Sequence, residues 1–184
     1  MKWKNSNNTW GAIAMFFHWL TALAIISLFA LGFWMVDLTY YSEWYKTAPF
    51  IHKSIGILLL ILTLLRVLWR LKEKVPQPLE GQTLIERKTA HIVHVLLYIL
   101  IFAVILSGYL MSTAAGRAIN VFNVFEVSAL PWIFTEQGAI AGFLHEYLAY
   151  AIIALASLHA LAALKHHFVD KDNTLNRMIG RIKK

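Results

Sequence analysis

The sequence contains no cysteine among its 184 residues, and only 15% of the residues are charged. The absence of cysteine excludes disulfides, thiolate metal sites, iron–sulfur clusters and covalent attachment of a c-type haem. A soluble domain of this length carries more charge and has a lower hydrophobic content than the 59% found here. The composition therefore predicts a membrane protein.

Four apolar segments are each long enough to cross a membrane, because about 20 helical residues span its ~30 Å hydrocarbon core. Lipid offers no partner to free backbone groups, so each segment is predicted to be helical. The first segment is too long for the core of a signal peptide, and no small-residue cleavage site follows it, so it is expected to be retained. The predicted helices cover residues 11–36, 50–71, 89–112 and 139–164.

These segments predict an all-α fold, an integral membrane four-helix bundle formed as a single domain over residues 1–184. The connection over residues 113–138 is long and unusually apolar. It is expected to lie in the outer interface of the membrane or to cap the bundle.

The positions of lysine and arginine predict the orientation of the chain. Fourteen of the seventeen basic residues precede the first helix, flank the loop between the second and third, or close and follow the fourth. Cytoplasmic segments are rich in these residues, so both termini and the middle loop are expected in the cytoplasm. Topology thus accounts for the net charge of +7, and nucleic acid is not an expected partner. The other three basic residues are Lys46, Lys53 and Arg117.

Two histidines interrupt the fourth apolar segment. His145 and His159 are 14 residues apart, which corresponds to ~21 Å of helix and to nearly four full turns. They are therefore expected on one helix face, at different depths in the membrane. Two ligands of one metal ion on a single helix would be three or four residues apart. The spacing predicts two separate sites.

Two haems, each with one ligand from this helix, satisfy that spacing. Haem is largely apolar, and its iron uses the imidazole lone pair that lipid would leave without a partner. Each haem needs a second ligand at the same depth. His52 has the depth to pair with His145, and either His18 or His94 has the depth to pair with His159. Without cysteine the haems must be non-covalent, hence b-type.

Arg66 follows His52 by fourteen residues, so it is expected on the same helix face and near His159 in depth. A charged side chain at that depth requires an anion. A haem propionate suits the forked geometry of arginine. Further histidines are candidates for contacts with a propionate or a quinone, and these are His91, His94, His166 and His167.

Several motifs resemble the prokaryotic cytochrome b561 family. They are "FFHWL" at His18, "IHKSIGILLL" at His52, "TAHIVHVLLYIL" at His94, "LHEYLAY", and "LHALAALKHHFVDKDNTLNRM". The resemblance covers nearly the whole chain and is weak over residues 113–138. It implies a four-helix dihaem electron carrier of the bacterial inner membrane.

The resemblance also implies which histidines hold iron. The bis-histidine ligands of the family match His18 and His159 at the inner haem, and His52 and His145 at the outer haem. This favours His18 over His94 as the partner of His159.

The resemblance implies electron transfer between a small periplasmic donor, or a periplasmic redox protein, and the quinone pool, with ubiquinone as the expected partner. Some members of the family oxidise superoxide, so a superoxide:ubiquinone oxidoreductase is one candidate activity. Two alternatives stay open. The chain could be a haem-bearing anchor subunit for a periplasmic enzyme, or a transporter whose histidines form a proton or metal path. Membrane lipid is a partner in every case.

Overall fold

The computed structural model describes residues 2–79 and 81–181. Four of its helices have the length and apolar composition needed to cross a membrane, which confirms the predicted membrane helices. A short fifth helix follows them near the C-terminal end. The helices are α1 (Ala12–Met35), α2 (Thr47–Lys72), α3 (Leu84–Thr113), α4 (Gln137–Phe168) and α5 (Thr174–Met178).

The helices α2, α3 and α4 extend beyond the apolar segments that predicted them. At the start of α3, Thr83 Oγ1 accepts the Glu86 N–H at 3.2 Å, and Glu86 Oε2 accepts the Thr83 N–H at 2.9 Å. This capping box supplies partners to backbone groups that precede the apolar segment. Pro49 lies in the first turn of α2, where its missing N–H costs no helical hydrogen bond. Hydropathy predicted only the apolar part of each of these three helices.

The connection between α3 and α4 contains a β-hairpin that the all-α prediction omitted. The strands β1 (Ile119–Val121) and β2 (Phe125–Val127) pair in antiparallel fashion. Two turn residues, Phe122 and Asn123, adopt positive φ angles of 47° and 59°. The side chains of Ile119 and Val121 pack against Ile57 of α2. Packing on α2 thus accounts for Ile119 and Val121, whereas Val124, Trp132 and Ile133 of the same connection are exposed.

Ser54 fastens the hairpin to α2. Its side chain is fully buried. Its Oγ donates to the Asn120 carbonyl at 3.3 Å and accepts the Phe122 N–H at 3.2 Å. One hydroxyl thus satisfies a carbonyl and an N–H of the hairpin. His52, a candidate ligand, lies two residues before Ser54. The hairpin therefore contacts α2 within one helical turn of this histidine.

The chain forms two compact units, and each long helix contributes residues to both. The candidate residues His18, Arg66, His94 and His159 belong to the first unit, and His52 and His145 belong to the second. The first unit comprises Met1–Ala22, Leu62–Tyr98 and Ala154–Lys184, and the second comprises Leu23–Ile61 and Ile99–Ile153.

Candidate haem-binding site

In the second unit, His52 of α2 and His145 of α4 face each other. Their ring centroids are 6.1 Å apart, and the ring planes are inclined by 78°. Two imidazoles on opposite sides of one metal ion, each with a nitrogen–metal bond of about 2 Å, have ring centres about 6 Å apart. The spacing of this pair therefore fits a single iron ion between the rings.

Two glycines bring helix backbone close to these rings. A Cβ added to Gly108 of α3 would lie 2.8 Å from Cε1 and 2.9 Å from Nδ1 of His145. A Cβ added to Gly32 of α1 would lie 3.1 Å from Cε1 of His52. Neither glycine was predictable from the sequence, because a glycine in an apolar helix does not by itself indicate which side chain it faces.

The hydrogen bonds of His145 determine which of its nitrogens is free. Its Nδ1 lies 2.8 Å from the Val104 carbonyl oxygen and 3.3 Å from Ser107 Oγ. A carbonyl only accepts hydrogen bonds, so Nδ1 carries the hydrogen and Nε2 keeps its lone pair, as a metal ligand requires. By contrast, Nδ1 of His52 is buried and has no hydrogen-bond partner within residues 2–79 and 81–181.

In the first unit, the ring of His159 has two histidine neighbours. The His18 ring centroid lies 6.2 Å away with an interplanar angle of 72°. The His94 ring centroid lies 5.1 Å away. The first distance matches that of the His52 and His145 pair, whereas the second is short for two rings with a metal ion between them. The spacing favours His18 as the partner of His159.

Arg66 of α2 lies beside His18 of α1. Its Nη2 is 3.2 Å from Nδ1 of His18, and its guanidinium carbon is 5.3 Å from the ring centre of Tyr98. In the described part of the chain no carboxylate pairs with Arg66. A guanidinium held within a membrane helix requires an anion, so the arrangement fits a propionate of a haem held nearby.

His166 is engaged by carboxylates at the end of α4. Its Nδ1 lies 2.7 Å from Asp170 Oδ2 and 3.5 Å from Asp172 Oδ2. Lys165 Nζ lies 2.7 Å from the same Asp170 oxygen and 3.2 Å from Glu86 Oε1, and its hydrogen bond lowers the pKa of the Asp170 carboxyl. Ligand atoms of Glu86, His166 and Asp170 lie within 4.8 Å of one another. The lysine ammonium already pairs with both carboxylates, so this cluster is an ion-pair network.

The remaining candidates, His91 and His167, are not among the residues that form the paired rings. His91 is exposed. Nδ1 of His167 is buried and without a hydrogen-bond partner in the part of the chain that the structure describes.

The helices are long enough to cross a membrane, and histidines from different helices are spaced as ligands of one ion. These features are typical of a membrane cytochrome b. The family model for prokaryotic cytochrome b561 matches residues 9–181, and the chain belongs to this family. It is therefore a b-type haem protein of electron transfer, embedded in the bacterial inner membrane. The family assignment from the sequence motifs is confirmed.

Comparison with curated proteins finds relatives over nearly the full chain. Cytochrome b561 homolog 2 of Escherichia coli (strain K12) is 46% identical over 181 residues, which are 98% of this chain and 96% of the relative. The probable superoxide oxidase CybB of Yersinia pestis is 32% identical over 168 residues, which are 89% of this chain and 92% of the relative. Cytochrome b561 homolog 1 of E. coli (strain K12) is 29% identical over 179 residues, which are 96% of this chain and 99% of the relative.

Proposed function

We propose that the protein is a dihaem cytochrome that transfers electrons between a small donor on the outer side of the membrane and ubiquinone. The observation that carries this proposal is the near-equal spacing of two histidine pairs. The ring centroids are 6.1 Å apart for His52 and His145, and 6.2 Å apart for His18 and His159. One pair lies in each unit, and each pair joins two different helices.

The four histidines hold the haems in this proposal, His52 with His145 and His18 with His159. Haem held by two imidazoles supplies a one-electron couple, and its iron has no open position for binding oxygen. The chain contributes the orientation of the ligand rings. In the second unit, the Val104 carbonyl keeps the hydrogen of His145 on Nδ1, so that Nε2 is free to bind a metal.

Arg66 anchors a propionate of the haem held by His18 and His159. Its N–H groups match a carboxylate as a fork. In the structure Arg66 donates to Nδ1 of His18. When Arg66 turns to a propionate, that nitrogen is free to carry the hydrogen that metal binding through Nε2 requires.

Two further histidines are proposed contacts for a propionate or for quinone. His94 lies 5.1 Å from the ring of His159, which favours it for this role. For His166 the same role would require it to leave Asp170, which is 2.7 Å away.

Superoxide is the candidate donor, because the Yersinia pestis relative is named a probable superoxide oxidase. Each superoxide anion gives one electron and leaves as molecular oxygen. Two superoxide anions and two protons therefore convert one ubiquinone into ubiquinol. Lys53, next to His52, is the cation that would attract the anion toward the outer haem.

The test begins with a reduced-minus-oxidised visible spectrum of detergent-purified protein and a measurement of haem per chain. We expect two b haems per chain. The protein is then placed in liposomes with ubiquinone, and enzymatically generated superoxide is supplied on one side while ubiquinol is measured. Protein without haem would refute the cytochrome. Loaded protein that reduces no quinone, but purifies with a soluble redox enzyme, would favour the anchor subunit.

A further inference from the structure

We infer that Val104, Ser107 and Gly108 form a notch in α3 that orients His145 and sets the redox potential of the haem that it holds. This inference rests on the proposed function, in which His145 is a haem ligand. The three residues act through the imidazole, so they are positioning residues. We call them the α3 notch.

The notch depends on the missing side chain of Gly108. Residues four apart lie on the same face of a helix, and side chains lean toward the helix N-terminus. A side chain at position 108 would therefore lean toward the turn that holds the Val104 carbonyl. The added Cβ would lie only 2.9 Å from Nδ1 of His145. With glycine there, the ring reaches that carbonyl at 2.8 Å.

Ser107 adds a second acceptor to the notch. Its side chain is buried, and its hydroxyl donates to the Val104 carbonyl at 2.9 Å. That bond uses the hydroxyl hydrogen, so a lone pair of Oγ is left for Nδ1 of His145 at 3.3 Å. The N–H of His145 thus faces two oxygens. Acceptors on this nitrogen make the opposite nitrogen a more basic ligand, which stabilises the oxidised metal.

The partner ligand lacks such support. A Cβ on Gly32 would also crowd the His52 ring, at 3.1 Å. However, Nδ1 of His52 has no hydrogen-bond partner among the residues that the structure describes. The two ligands assigned to this haem therefore differ in their hydrogen bonds at Nδ1. We expect the hydrogen bonds of His145 to influence the redox potential of this haem.

The test uses Ser107→Ala and Gly108→Ala, with Gly56→Ala as the matched control. A Cβ at Gly56, which also lies in a membrane helix, meets nothing within 4 Å. Each purified protein is titrated potentiometrically at both haems, and its ferric low-spin signals are recorded by electron paramagnetic resonance. The haem that disappears in His145→Ala identifies the signal to follow.

We expect Ser107→Ala to keep both haems and to raise the midpoint potential of the His145 haem alone, because one acceptor of the N–H is lost. Gly108→Ala is expected to shift the ferric signal of the same haem or to lose that haem only. The control is expected to match the wild type at both haems.

Unchanged potential and signal in Ser107→Ala would overturn the inference, even if Gly108→Ala does not fold. It would also be overturned if Gly56→Ala changed the same haem as much as Gly108→Ala. Absence of haem from the wild type is a different outcome, since it refutes the dihaem proposal itself.

Discussion

Arg66 donates from Nη2 to Nδ1 of His18 over 3.2 Å, so a cation faces the ring of this candidate ligand. The corresponding nitrogen of His145 instead faces the Val104 carbonyl, an acceptor, at 2.8 Å. A positive charge favours the reduced state of a nearby metal, whereas an acceptor on the ligand N–H favours the oxidised state. Arg66 remains a cation beside the haem assigned to His18 and His159 when it turns to a propionate. The two histidine pairs therefore predict haems of different potential, with the higher potential at the His18 and His159 pair.

Replacing the two α4 histidines separately tests the two-site arrangement. We expect His145→Ala and His159→Ala each to lose one b haem, and the lost haem to differ between the variants. The reason is that each ring belongs to a different pair. Reduced-minus-oxidised spectra with haem quantification measure this. Loss of the same component in both variants would contradict it.

Comparison of His18→Ala with His94→Ala distinguishes the two neighbours of His159. The 6.2 Å ring spacing predicts that His18→Ala loses the haem that His159→Ala loses. His94→Ala is expected to retain both haems, since its 5.1 Å spacing is short for a shared ion. Haem stoichiometry and difference spectra decide between them. If His94→Ala held only one haem, His94 rather than His18 would be assigned as the partner of His159.

Removing the charge of Arg66 should lower one midpoint potential. Arg66→Gln keeps a hydrogen-bonding side chain but takes away the cation beside His18, so the reduced haem loses stabilisation. Arg66→Lys keeps the charge and should fall between this variant and the wild type. Spectropotentiometric titration of both haems measures the change. Equal potentials in all three proteins would show that Arg66 does not act on the haem.

The charge of Lys53 should affect superoxide turnover. Lys53→Glu is expected to slow ubiquinone reduction by superoxide at low ionic strength, and added salt should reduce the difference because it screens the charge. Lys46→Glu makes the same charge change six residues before His52 in the chain and serves as the control. A rate that is unchanged in Lys53→Glu at low salt would count against attraction of the anion by this residue.

Loss of the Ser54 hydroxyl should destabilise the packing of the hairpin on α2. Ser54→Ala leaves the Asn120 carbonyl and the Phe122 N–H without their buried partner, at a cost of about 1–3 kcal/mol in the free energy of unfolding. Thermal unfolding in detergent should show a lower midpoint. Ser128→Ala, at an exposed position, should leave it unchanged. Equal midpoints for the two variants would contradict the role of Ser54.

The membrane helices were predictable from the sequence because their apolar segments are long. The ends of the helices were harder to predict. At the start of α3, for example, Thr83 and Glu86 form a polar cap that lies outside the apolar segment. The hairpin was missed for a related reason. Each of its strands has three residues, which is too short for the alternation of a strand to be distinguished inside an apolar connection.

The sequence predicted which histidines are candidate ligands, but not which of them contact each other. The helical repeat predicted His145 and His159 on one helix face at two different depths. The positions of His18 and His94 in their apolar segments, however, gave both of them the depth to pair with His159. Only the ring distances separate those two neighbours. The contact of Gly108 with His145 likewise joins residues far apart in the chain.

The membrane environment, the helical state of the spans and the histidines that lipid would leave without partners all follow from the order of the amino acids. The physical reason is that a bilayer requires satisfied backbone groups and tolerates few polar side chains. Only the packing of the helices shows which rings face each other, which nitrogen of His145 is free and which glycine makes room for its ring. Those properties depend on the rotation of each helix against its neighbours, and the periodicity of a single helix does not determine that rotation.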